Sequence, residues 1–249
     1  MANEILELFS AREGVVCCVG AGGKKTTMFR LAREHPGRRG ITATSHIEYF
    51  PRKLKITKHI AEEDELLQLV KNDPSDCMAF ACPSTRKGRH AGISIYNVKR
   101  FQEAGRFDLM VIKSDGARSR LIKAPAEHEP PLPACVDTVI PVVSARAMGK
   151  PLSERIAHRI GRISTVAMIE ENDIIKPVHV ARLLASAEGS LKNTGDAEVI
   201  PLINMVDNWQ KQVLAHDAAE LALSMTDRFK KIVLARMRDD DPIVDVITG

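Results

Sequence analysis

The sequence predicts an α/β protein of the three-layer α/β/α kind, built on a mainly parallel sheet. Three observations carry that expectation. Short apolar runs rich in Val and Ile alternate with stretches whose apolar residues recur at three- and four-residue spacing. The runs lack the apolar–polar alternation of a sheet with one wet face, so they read as strands covered on both sides by helices. The first run also breaks into glycines that lead directly into a helical pattern.

In chain order, the strands are expected at Gly14–Gly20, Gly40–Ala43, Cys77–Ala81, Leu109–Ser114, Thr138–Val143, Val199–Ile203 and Lys231–Ala235. Helical spacing marks Lys25–His35, Glu62–Lys71, Asn97–Ala104, Pro177–Ala187 and Asn208–Met225 between them. Two segments interrupt the alternation. Pro83–Gly92 is polar and basic and reads as a surface loop, whereas Ala117–Pro133 is proline-rich, charged and longer than most connections. No composition shift marks a linker, so residues 1–249 are read as a single domain. The helix-rich stretch from Gly149 to Gly195 is a candidate helical subdomain.

Composition narrows the class. The chain has 249 residues and is 44% hydrophobic, enough for a sizeable core, with no apolar stretch long enough to span a bilayer. Met1-Ala2-Asn3-Glu4 lacks the basic start and apolar core of a secretion signal, so a cytoplasmic location is expected. The net charge of +4 permits anionic ligands, but aromatics are only 4%, so neither nucleic acid nor a membrane is an expected partner. Five cysteines, Cys17, Cys18, Cys77, Cys82 and Cys135, form no CxxC pair; the first four lie in or beside apolar runs and read as small core residues.

The sharpest chemical signal is Val15–Thr27, which reads Val-Val-Cys-Cys-Val-Gly-Ala-Gly-Gly-Lys-Lys-Thr-Thr. A strand, a loop with Gly20, Ala21, Gly22 and Gly23, and a helix start suit a phosphate: backbone N–H groups can turn inward and a lysine can reach the terminal phosphates. The layout is therefore P-loop-like. Two registers remain open. With Lys24 as the phosphate lysine, Lys25 stands where a metal-binding hydroxyl belongs; with Lys25 in that role, Thr26 is in place but Lys24 replaces the preceding glycine. Thr26 or Thr27 would ligate magnesium in either case.

Asp115 follows the strand ending at Ser114, where nucleotide sites place a carboxylate that holds magnesium through water. Thr42–His46 closes another strand, so His46 is a candidate for a second ligand. Lys123, Glu127, His128 and Glu129 crowd a proline-bounded loop, which loses little entropy on ordering and can hold charges in place. Asn204-Met205-Val206-Asp207 follows a strand where GTP-binding proteins read guanine, making Asn204 and Asp207 candidate base contacts; equally, Asp207 and Gln210 resemble a helix-capping box.

With these blocks in view, the chain resembles the YqeC family, accessory proteins of selenium-dependent molybdenum hydroxylases. The likeness runs in order through Val19–Phe29, Ile41–Ile47, Asp115-Gly116-Ala117, Leu121–Pro133, Gly149–Leu152, His158-Arg159, Glu188–Lys192 and Asn204–Asp207. Lys-Ala-Pro-Ala-Glu-His-Glu-Pro, from Lys123, is the most distinctive stretch. The chain departs from the family pattern at Lys25, at Lys113 where a glutamate is usual, and at Met205 where a lysine is usual. The resemblance implies a P-loop-like α/β protein acting in maturation of a molybdenum hydroxylase, with that client or its maturation proteins as partner. The residues themselves lead to the expectation of a nucleotide site for ATP or GTP with magnesium. Asp115 and Glu129 are the candidate catalytic carboxylates. The alternative is a non-hydrolysing carrier that grips the diphosphate of a molybdopterin dinucleotide, and a third class is an interaction protein with a vestigial loop.

Overall fold

A computed structural model describes residues 2–249. The chain divides into two compact units, one comprising the chain up to Cys18 with Met28–Gly116 and Pro131–Thr138, the other Val19–Thr27, Ala117–Pro130 and Val139–Gly249. Gly149–Gly195, the candidate helical subdomain, falls inside the second unit.

The first unit begins with helix α1 (Ala2–Leu8), strand β1 (Gly14–Gly20), whose Val19 and Gly20 belong to the second unit, and helix α2 (Lys24–Glu34), whose first turn does too. There follow β2 (Arg39–Ala43), β3 (Ile47–Glu48), β4 (Thr57–Ile60), α3 (Glu63–Asn72), β5 (Cys77–Ala81), β6 (Arg89–His90), α4 (Val98–Gly105) and β7 (Leu109–Lys113). Five of these strands pair in parallel in the order β1-β7-β2-β5-β4. Period-two alternation sends Val15, Cys17, Phe80, Met110 and Ile112 to one face, where they pack with Leu66, Leu67 and Val70 of α3 and Val98 and Phe101 of α4. Val16, Ile41, Ala79 and Val111 face the other way and are equally buried, so this sheet is covered on both sides.

The second unit adds β8 (Ile122–Lys123), β9 (Thr138–Ser144), β10 (Ala157–His158), α5 (Ile160–Ala167), α6 (Pro177–Ala185), β11 (Glu198–Val199), β12 (Leu202–Asn204), α7 (Trp209–Met225), β13 (Lys231–Ala235) and β14 (Ile243–Thr248). Strands β9, β12 and β13 are parallel, and β14 returns antiparallel on β13. Register pairs Asn204 with Ser144 and with Ala235, so three strands end level at one carboxyl edge. Val143, Ile203, Ile232 and Leu234 bury one face of this sheet under the alanine stripe Ala215, Ala218, Ala219 and Ala222 of α7. Alanines let a helix approach a sheet closely at no cost in side-chain entropy.

The α/β class and the parallel sheet agree with the expectation, and β1, β5 and β13 have the expected bounds. The strand expected over Val199–Ile203 is instead two short ones, because Pro201 has no N–H to give a ladder. The helix after Asp207 is capped by Asn208, whose Oδ1 accepts from the Lys211 N–H at 2.9 Å, rather than by Asp207 and Gln210. The expected surface loop Pro83–Gly92 contains β6, which pairs antiparallel with β3. No helix among the described residues is long and apolar enough to cross a membrane.

Candidate functional site

The glycine loop is shaped by its neighbours. Gly20, Gly22 and Gly23 adopt φ of 84°, 92° and 137°, a region that costs residues with a β-carbon strain. Space forbids a side chain as well. A β-carbon on Gly20 would collide with the Val142 carbonyl and one on Gly23 with the Asn204 amide, while one on Gly22 would lie 2.7 Å from the Ser144 nitrogen. The Ala21 N–H donates to the Val142 carbonyl at 2.8 Å, and Asn204 Nδ2 donates to the Gly22 carbonyl at 3.0 Å. The other end of Asn204 accepts the Met237 N–H at 3.1 Å, so this buried amide is engaged at both ends. The level carboxyl edge of β9 and β12 is thus the floor that fixes the loop.

Helix α2 starts at Lys24, immediately after the glycines. Lys24 is buried, and its Nζ folds back to donate to the Gly20 carbonyl; Lys25 and Thr26 are half-buried. Thr27 is fully buried, its hydroxyl donating to the Gly23 carbonyl at 3.3 Å. The first turn of α2 carries two lysines and no acid. A helix gives its first amides no carbonyl of its own and ends there in partial positive charge, which disfavours cations and favours an anion. Two lysines at that end fit an oxyanion held by loop and helix together.

A second cluster lies around Lys123. Strands β8 and β10 pair in parallel with Lys123 opposite His158. Glu129 accepts from Lys123 Nζ at 2.6 Å and from both Arg159 terminal nitrogens, at 2.6 and 2.9 Å. Burial pushes the Glu129 carboxyl up, but the Arg159 and Lys123 bonds outweigh it and hold its pKa below the ordinary value. His158 is pushed down to about 4, by burial first and then by Arg159, Lys123 and Arg118. Glu127 and His128 stand exposed on the turn between.

The YqeC protein family model matches residues 16–161, more than half of the chain and all of both clusters except the Asn204 brace. The chain belongs to the YqeC family. It is also 26% identical over 189 residues, 73% of its length and 72% of the relative's, to an uncharacterized protein YqeC of Escherichia coli (strain K12).

In this YqeC-family chain the remaining expected site residues fall into separate settings. Asp115 and Ser114 are buried just past β7 in the first unit. Lys113, where the family usually has glutamate, is buried and donates to Ser45 Oγ at 2.8 Å and to the His46 carbonyl at 2.6 Å. Thr44 donates to the Pro131 carbonyl at 2.9 Å. The His46 imidazole is shifted down by burial and then by Arg86, Arg89 and Lys113. In the second unit Met205 sits at φ 61°, its sulfur accepting from Ser144 Oγ at 3.1 Å, and Asp207 pairs with Arg146. Trp209, the chain's single tryptophan, is 73% exposed at the start of α7. Burial pushes the Cys17 thiol up to about 12 and the Cys82 thiol up to about 11, which keeps both protonated and unreactive.

Sequence reasoning missed Ser144 and Arg159 as parts of these clusters. Ser144 ends a buried strand, the position where ligand-facing groups of parallel sheets are sought, and that signal was available. Arg159 stood only in the His158-Arg159 resemblance block, and its role did not show there because its partner Glu129 lies 30 residues away.

Proposed function

We propose that this protein binds the phosphates of a nucleotide and serves the maturation of a selenium-dependent molybdenum hydroxylase. The observation that carries the phosphate half is the pair of lysines at the acid-free start of α2, directly after glycines whose positive φ and close neighbours penalise a β-carbon. The hydroxylase half rests on the family's resemblance block at Lys123–Pro133. Lys24 is the proposed phosphate cation, with Lys25 beside it. Thr26 is the proposed magnesium partner in the second unit, and the ion would supply charge neutralisation. Thr27 is fully buried and its hydroxyl donates to the Gly23 carbonyl, so half-buried Thr26 is the more accessible of the two hydroxyls. Glu129 is engaged by two cations and is not proposed as the group that orients water. Likewise, Asn204 braces the loop, and Asp207, the candidate contact to a base, would have to leave Arg146 to make it.

Calorimetric titration with ATP and GTP, with and without magnesium, tests this. Binding is expected to vanish in the Lys24→Ala, Lys25→Ala double variant. Unchanged affinity would end the proposal.

A second reading is favoured by Lys25 itself, which occupies the position of a metal ligand in the Lys24 register. A second lysine neutralises a diphosphate without magnesium, as a carrier of a molybdopterin dinucleotide requires. Tight binding of that cofactor in the presence of a chelator, with no nucleotide turnover, would support the carrier over the hydrolase.

A further inference from the structure

The chain's net positive charge is concentrated on one surface of the first unit. Residues 46–58 carry Arg52, Lys53, Lys55 and Lys58 against the single acid Glu48, and residues 84–90 carry Arg86, Lys87 and Arg89 against none. Removing these two stretches leaves 29 Lys and Arg against 31 Asp and Glu, a remainder of net −2 in a chain of net +4. In sequence the stretches lie some way apart. The fold joins them: β3 pairs antiparallel with β6, matching Ile47 to His90 and Glu48 to Arg89, and the Tyr49 N–H donates to the Gly88 carbonyl at 3.2 Å.

Rings clamp the joint. The His90 imidazole lies 4.7 Å from the Tyr49 ring and 5.6 Å from the Phe50 ring, between centroids. Phe50 is buried, whereas Tyr49 is 56% exposed and lies in sequence just ahead of Arg52, Lys53 and Lys55. Arg52, Lys53, Lys55, Arg86 and Lys87 are exposed, and none makes an ion pair among the described residues. The downward shift of His46 has Arg86 and Arg89 among its causes, so charge from the second stretch reaches the start of the first.

We infer that this surface docks an acidic face of a partner protein. It does so independently of the phosphate loop, none of whose residues belongs to it. Two features favour a protein over a nucleic acid. A single-stranded chain stacks on successive rings, and among the described residues of these stretches Tyr49 is the one exposed large aromatic side chain. A long polyanion also overruns a bounded patch and meets the remaining net-negative chain, whereas an acidic protein face ends where the patch does.

The test uses the full chain with two probes of equal charge, a polyglutamate peptide and a single-stranded oligothymidylate, titrated by fluorescence anisotropy. Polyglutamate is expected to bind more tightly than the oligonucleotide and to weaken steeply with salt. In an Arg52→Glu, Lys53→Glu, Arg86→Glu, Lys87→Glu variant that affinity is expected to fall at least about tenfold. Circular dichroism and nucleotide titration of the variant should match the unaltered chain, since these side chains make no ion pair. Undiminished polyglutamate binding in the variant overturns the assignment, as does tighter binding of the oligonucleotide. Failure of nucleotide binding in both proteins would overturn the phosphate reading and leave this one standing.

Discussion

The glycine loop and the Lys123–Arg159 cluster both belong to the second unit and both concentrate cations, yet they handle charge in opposite ways. In the cluster the charges are matched from within: Glu129 receives Lys123 and both arms of Arg159. At the loop, neighbouring groups fix the backbone, while the helix start adds two lysines and no acid. The first arrangement closes on itself; the second fixes a backbone turn at a helix start, the end that favours an anion. A proline-bounded loop dense in charge is therefore no better a guide to ligand binding than three glycines before a lysine.

The largest effect is expected at Lys123, whose side chain is 0% exposed. Lys123→Ala leaves the half-buried Glu129 with Arg159 as its one cation, and removing one member of a buried pair costs about 3–5 kcal/mol. Urea unfolding followed by circular dichroism measures it, and a loss below about 1 kcal/mol would mean the cluster is not self-contained. Next in size is Gly20→Ala, which meets both a positive φ of 84° and the Val142 carbonyl. A loss of about 2–3 kcal/mol is expected, together with weaker nucleotide binding, because the loop must shift. Stability lost with affinity unchanged would separate the loop's shape from its proposed role.

The smallest effect is a pH dependence that sharpens the contrast. His158 has its pKa lowered from 6.5 to about 4, so the unfolded chain takes up the proton first, and stability falls as pH drops between those values. Glu129 has its pKa lowered below 4.5, so its contribution is complete above that value and is lost as pH falls through the folded pKa. Denaturant midpoints should therefore decline in two windows, and His158→Asn should lessen only the upper one, to which the lowered His46, His90 and His179 also contribute. A decline that the substitution leaves intact would place the titrating group elsewhere.

Strands buried on both faces were legible because nothing but apolar residues suits them, as at β1, β5 and β13. The edge strands β4 and β14 were not, since Thr57–Ile60 and Ile243–Thr248 are half-exposed and mix polar with apolar residues. The loop Gly20–Thr27 was legible from local chemistry, where a glycine's freedom and a helix start are adjacent in sequence. Its support was not, because Val142, Ser144 and Asn204 reach it through sheet register that no local pattern encodes. The charged surface around Tyr49 was half visible in Pro83–Gly92 and needed the β3–β6 pairing to complete it.

Trp209 gives this protein an unusual optical behaviour. A lone indole already 73% in water emits at long wavelength in the native state, so unfolding changes its environment little. Intrinsic fluorescence will follow denaturation poorly, but it will respond to anything that covers the start of α7, two residues past Asp207. The same dye that fails as a folding probe is a background-free reporter of that end of the sheet.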